Sequence, residues 1–187
     1  DNGPEITSSS TFNVDENETS IGTVTATDLD NDNLTYSISG SEININDSTG
    51  VLVFTSAPDY ETKTSYSATV TVTDGDNSAS QEITVSINDL NDNSPVITSS
   101  NSFNADENQT AIGTVTATDA DAGSNLSFSV TGSNLSISSE GVLSFNSAPD
   151  YETTTSYTGT VSVSDGTNST TQNLTISVND LNDESPT

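Results

Sequence analysis

The chain carries the same text twice. "PEITSSSTFNVDENETSIGTVTATDLD" from Pro4 aligns with "PVITSSNSFNADENQTAIGTVTATDAD" from Pro95, and "SAPDYETKTSY" from Ser56 aligns with "SAPDYETTTSY" from Ser147, an offset of 91 both times. A fixed period of this length means two copies of one folding unit, each with its own core. An acidic octet, "NDLNDNSP" at 88–95, marks the border, and it returns as "NDLNDESP" at 179–186. Residues 4–88 and 95–179 are therefore read as two domains. Residues 89–94 are the linker between them, 1–3 the remnant of a preceding linker, and 180–187 the start of a following one.

Within each copy the apolar period is two. "TVTAT" (23–27), "YSATVTVTD" (66–74) and "QEITVSIND" (81–89) alternate apolar or β-branched residues with Ser and Thr, the pattern of half-buried strands. Turn signals stand between them: "NDSTG" at 46–50, "SAPD" at 56–59 and "DGDNS" at 74–78. No stretch shows the helical i, i+3, i+4 stripe. About seven strands per copy predicts an all-β chain of two tandem Greek-key, immunoglobulin-like β-sandwiches. The expected core of the first is Val24, Ala26, Leu34, Tyr36, Ile38, Phe54, Val70, Val72, Ile83, Val85 and Ile87.

Charge bounds the partners. The chain has 28 acids, one base (Lys63), no His, Cys, Met or Trp, and a net charge of −27. With one cation it cannot neutralise phosphates, which excludes nucleic acid and anionic membrane surfaces. No apolar run is long enough for membrane insertion. The absence of Cys leaves no disulfide framework. The partner that fits is a cation, and all-oxygen ligation suits calcium, magnesium or manganese rather than zinc, copper or iron. "DLDNDN" (28–33) imitates an EF-hand opening, but Asn33 and Ser39 occupy the places that need Gly and Glu, so that reading is rejected.

Five motifs recur in order in both copies: "ENETSIGT" (16–23); "ATDLD" (26–30) and "ATDAD" (117–121); "PDYE" (58–61); "VTDG" (72–75) and "VSDG" (163–166); and "DLNDNSP" (89–95). Across nearly the whole chain the sequence resembles cadherin repeats. The Ser/Thr/Asn/Asp-rich composition resembles the bacterial branch, found in large repeat adhesins. The resemblance implies calcium, about three ions, at the junction between domains. It assigns as metal ligands Glu16, Asp59 and Glu61 from the first repeat; Asp89, Asn91, Asp92 and the carbonyl of Asn93 from the linker; and Asp119, Asp121, Asn125 and Asp165 from the second repeat. Partial sites at the outer ends would use Asp1, Asn2, Asp28, Asp30 and Asp74, and Glu107, Asp150, Glu152, Asp180, Asn182 and Asp183.

Tyr60 stands where the family usually has Arg, and Asn125 directly precedes an apolar run. No N-terminal Trp supports strand-swapped pairing. Two carboxylates about 4 Å apart repel by about 4 kcal/mol at an effective dielectric near 20, so the metal-free junction would hinge and calcium would lock it. Extracellular modules bind calcium at roughly 0.1–1 mM, which loads the joint outside the cell.

The expected function is a calcium-rigidified extender of a cell-surface adhesin, extracellular and exported by a bacterium, whose neighbours are further repeats of the same chain. The alternative is a calcium-dependent module for polysaccharide or self-association. Paired carboxylates without His, Cys or Arg do not predict an enzyme. Tyr60 and Tyr151 are read as buried beside the "APDYE" bend rather than as a sugar platform, and sequons such as Asn17-Glu18-Thr19 as chance.

Overall fold

The computed structural model describes residues 2–182. All of its regular structure is β, and the chain divides into two compact units, Asp1–Leu90 and Asn91–Thr187. The first holds β1 (Glu5–Ile6), β2 (Thr11–Asp15), β3 (Ser20–Thr23), β4 (Ala26–Thr27), β5 (Thr35–Ile38), β6 (Ile43–Ile45), β7 (Val51–Phe54), β8 (Ser65–Thr73) and β9 (Ser78–Asn88). The second repeats them as β10 (Val96–Ile97), β11 (Ser102–Asp106), β12 (Ala111–Thr114), β13 (Ala117–Thr118), β14 (Ser127–Thr131), β15 (Leu135–Ile137), β16 (Val142–Phe145), β17 (Ser156–Ser164) and β18 (Ser169–Asn179). The excess over seven has a simple origin. The first strand of each sandwich breaks into β1 and β2, and the second into β3 and β4.

In each unit a four-stranded sheet, β2-β9-β8-β5 or β11-β18-β17-β14, faces a three-stranded one, β3-β7-β6 or β12-β16-β15. A short pair, β1-β4 or β10-β13, flanks them. The long hairpin dominates because its alternation is unbroken: Val70, Val72, Ile83 and Val85 are fully buried, while Thr71 and Thr84 between them are half-buried. Of the expected core, Ala26, Leu34, Tyr36 and Ile38 are only partly buried, packed on the rim; Val14, Ile21, Ile43 and Leu52 complete the centre. The second core repeats this with Val115, Leu143, Phe145, Val161, Val163, Leu174 and Ile176. Tyr60 and Tyr151 are half-buried, and Tyr60 packs against the first core.

Gly50 and Gly141 close the turn before β7 and β16 at φ +69° and +82°. A Cβ there would collide with the carbonyl oxygen of Val24 or Val115, so the turn demands glycine.

Topology sends the acids to two poles of each unit. β2 runs parallel to β9 with Asp15 opposite Asn88, so Glu16 leaves its strand beside Asp89. β9 spans 11 residues, at about 3.3 Å each, so the β8–β9 turn with Asp74 lies roughly 35 Å away at the other pole. β11 and β18 repeat the register, with Asp106 opposite Asn179.

Candidate metal centre

Glu16 is the most deeply buried acid of the first unit, 1% exposed. It follows β2, and the next residue, Asn17, takes the left-handed conformation at φ 66°, which Asn tolerates better than most side chains. That bend turns the carboxylate inward. Its Oε2 accepts the N–H of Tyr60 at 2.8 Å and its Oε1 the N–H of Leu90 at 2.8 Å. One carboxylate thereby fixes the Asp59–Glu61 bend and the start of the linker next to Asp89. Asp59 and Glu61 themselves are exposed and Asp89 is half-buried.

Glu107 does the same in the second unit. It is 1% exposed, follows β11, precedes left-handed Asn108, and accepts Tyr151 N–H at 2.9 Å and Leu181 N–H at 2.7 Å. Carboxylate oxygens of Glu107, Asp150 and Glu152 lie within 4.8 Å of one another. The Thr153 hydroxyl, 2.8 Å from Oδ2, holds Asp150 below the usual aspartate range. The Glu152 backbone N–H lowers the Glu152 carboxyl, but burial and the neighbouring charges of Glu107 and Asp150 outweigh it and raise that group. Asp180 and Asn182 are exposed; Asp183 lies outside the described residues, as does Asp1.

At the opposite pole of the second unit, Asp119, Asp121 and Asp165 bring one carboxylate oxygen each to within 4.8 Å of the others. Asp121 and Asp165 are buried, at 6% and 9% exposure. Asp119 Oδ1 accepts Asp121 N–H at 3.0 Å. Burial pushes the Asp165 carboxyl up, but the N–H groups of Asn168 and Thr167, each 2.6 Å from Oδ1, overcome it and leave the group below the usual range. Linker residues of this unit meet the same pole. Asn93 donates its N–H to Asp121 Oδ2 at 3.1 Å and its amide to Oδ1 at 2.7 Å. Asn168 donates its amide to the Asn93 carbonyl at 2.9 Å and to Asn91 Oδ1 at 3.4 Å. Asp92 is exposed, and Asn125 is exposed in the loop before β14.

The equivalent pole of the first unit is built alike. Asp28 Oδ1 accepts Asp30 N–H at 2.8 Å, and Asn2 donates its N–H to Asp30 Oδ2 at 2.6 Å. The Asn77 N–H, 2.6 Å from Oδ1, holds Asp74 below the usual range against burial. The acidic cluster here is Asp28, Asp30 and Asp32. Sequence reasoning missed Asp32, although "DLDNDN" spaces three aspartates two apart; it also missed Asn168 and the Leu90 and Leu181 N–H groups, for which no local signal exists.

These residues fit calcium by an independent observation. Among the described residues, Asp28 Oδ2, Asp74 Oδ2, Asp119 Oδ2 and Asp165 Oδ2 are buried with no hydrogen-bond donor. The same pair of aspartates in both units keeps one oxygen bonded to backbone and leaves the other buried without a donor. A buried carboxylate oxygen without a donor is costly unless a cation meets it. The donor set is oxygen throughout, as hard cations require.

Fold and site together define tandem β-sandwich domains with acidic poles. Residues 10–88 match the family model of the cadherin domain and residues 91–177 that of a bacterial Ig domain. The crystal structure of human protocadherin-24 EC1-2 is 26% identical, covers 97% of this chain and 100% of its own, and superposes with a TM-score of 0.83. Mouse cadherin-23 EC22-24 is 26% identical over 98% of this chain and 68% of its own, TM-score 0.81. Protocadherin gammaB7 EC3-6, described as a cis-dimer structure, is 27% identical over 98% of this chain and 51% of its own, TM-score 0.80. None of the curated proteins matches the sequence. The first unit thus matches the cadherin domain over most of its length, and the chain as a whole is similar to cadherin ectodomains. Domains of this kind are in general calcium-binding, non-enzymatic parts of extracellular adhesion regions. Among the described residues no helix is long and apolar enough to cross a membrane.

Proposed function

We propose that residues 89–94 form a calcium-binding joint between domains 4–88 and 95–179, and that the pair extends a bacterial cell-surface adhesin. Glu16, Asp59 and Glu61 supply the first domain's ligands, Asp89, Asn91, Asp92 and the Asn93 carbonyl the linker's, and Asp119, Asp121, Asn125 and Asp165 the second domain's. About three ions would neutralise most of these acids. Calcium supplies positive charge to oxygens that otherwise repel, and it tolerates irregular six- to eight-fold ligation. The chain's own residues hold the acids in place beforehand: Glu16 fixes the bend and linker start, and the Asn168 and Thr167 N–H groups fix Asp165.

The observation that carries this reading is the orphaned pair Asp119 Oδ2 and Asp165 Oδ2 beside Asp121. At the outer poles, Asn2, Asp28, Asp30, Asp32 and Asp74, and Glu107, Asp150, Glu152, Asp180 and Asn182, are half-sites to be completed by adjoining repeats. All these acids serve as ligands, not as acid–base catalysts. The test is small-angle scattering with calcium and with chelator. The reading expects a narrower distribution of interdomain distances with calcium; identical distributions would refute it.

A second reading, calcium-dependent self-association, is favoured by the likeness to the protocadherin gammaB7 cis-dimer structure. Sedimentation in calcium separates the two, since an extender stays monomeric. A polysaccharide pull-down in the same buffer tests the remaining ligand class.

A further inference from the structure

We propose that Asn168 is a positioning residue that seats Asn91–Asn93 on the second domain before any metal binds. Asn168 lies in the turn between β17 and β18, and the turn fixes its backbone: its N–H donates to Asp165 Oδ1 at 2.6 Å, and its carbonyl accepts Asp165 N–H at 3.3 Å. The side-chain amide then points to the linker, 2.9 Å from the Asn93 carbonyl and 3.4 Å from Asn91 Oδ1. Asp121 grips Asn93 from the other side through its N–H and its amide. Asn93 is thus held at its donor and at its acceptor.

A carbonyl oxygen has two lone pairs. Asn168 takes one and leaves the other for a cation, so the latch aims the ligand without consuming it. The residue type suits the place. A carboxylate there would offer no donor and would add repulsion to Asp119, Asp121 and Asp165. A lysine would donate but compete with the metal. An amide donates without charge. The arrangement recurs in part in the first unit, where Asn2 donates to Asp30 and Asn77 lies against Gly3.

The proposal rests on the reading that this segment carries metal ligands only for its calcium arm; the latch itself is testable without metal. The experiment is amide hydrogen exchange and ¹⁵N relaxation on the whole chain in chelator, for wild type, Asn168→Ala and the neighbouring control Thr167→Ala, followed by calcium titration. One neutral hydrogen bond changes an equilibrium by about two- to twelve-fold. Asn168→Ala is expected to speed exchange at Asn93 by that factor and raise the mobility of residues 91–93, with the melting temperature in chelator unchanged. Thr167→Ala is expected to do neither. The calcium midpoint of Asn168→Ala then rises by a similar factor. Unchanged exchange at Asn93 would overturn the proposal whatever calcium does. Faster exchange in a chain whose wild type binds no calcium would sustain the latch and refute the metal reading instead.

Discussion

Replacing Glu16 by alanine removes the acceptor of two backbone N–H groups, those of Tyr60 and Leu90, both at 2.8 Å. The carboxylate is 1% exposed, so both N–H groups lose their acceptor inside the fold. Each stranded buried donor costs about 1–3 kcal/mol, and the two together about 2–6 kcal/mol. A domain of about 90 residues has roughly 5–13 kcal/mol of stability, so the loss is a large fraction of the whole. Urea unfolding in chelator is the assay, because metal then plays no part. Glu16→Ala should shift only the first domain's transition, and Glu107→Ala only the second's, since Glu107 holds Tyr151 and Leu181 at 2.9 and 2.7 Å. Glu16→Gln keeps one carbonyl acceptor and should cost less than Glu16→Ala. A loss below about 1 kcal/mol for either alanine variant would refute the view that these glutamates brace the poles without metal.

Gly50→Ala and Gly141→Ala force a Cβ toward a carbonyl oxygen at positive φ, and each should destabilise its own domain by about 1–3 kcal/mol in urea. In chelator, stability should fall as pH drops below the usual aspartate range. The carboxyls of Asp74, Asp150 and Asp165 are lowered by folding, so their contribution is full above their unfolded values and vanishes as pH falls through the folded ones. Glu152, raised by folding, acts oppositely and recovers a little stability on protonation; Glu152→Gln should flatten that part of the profile. Lys63 sits 2.7 Å from Glu42 and 4.2 Å over the Tyr66 ring, yet the pair is 41% and 55% exposed, so Lys63→Met should cost less than about 1 kcal/mol in thermal unfolding.

Legibility followed the range of the interaction. Strict alternation over "YSATVTVTD" exposed the long hairpin, and Val70 and Val72 are fully buried as that pattern requires. Ile43 and Leu52 escaped because β6 and β7 hold three and four residues, too short for a period to declare itself. Breaks within the first two strands of each domain are tertiary events and leave no sequence mark. The acids were readable as a class. What Glu16 bonds was not, since its partners lie 44 and 74 residues away. Asn168 looks like any other asparagine until the fold sets it against Asn93.

The central claim is that both domains and the linker close around metal. Calorimetric titration of the whole chain with calcium, wild type against Asp121→Ala, tests it most directly. The account predicts saturable uptake of about three ions in the roughly 0.1–1 mM range, with a clear loss of affinity in the variant. Equal heats for the two proteins, or no heat from either, would contradict it.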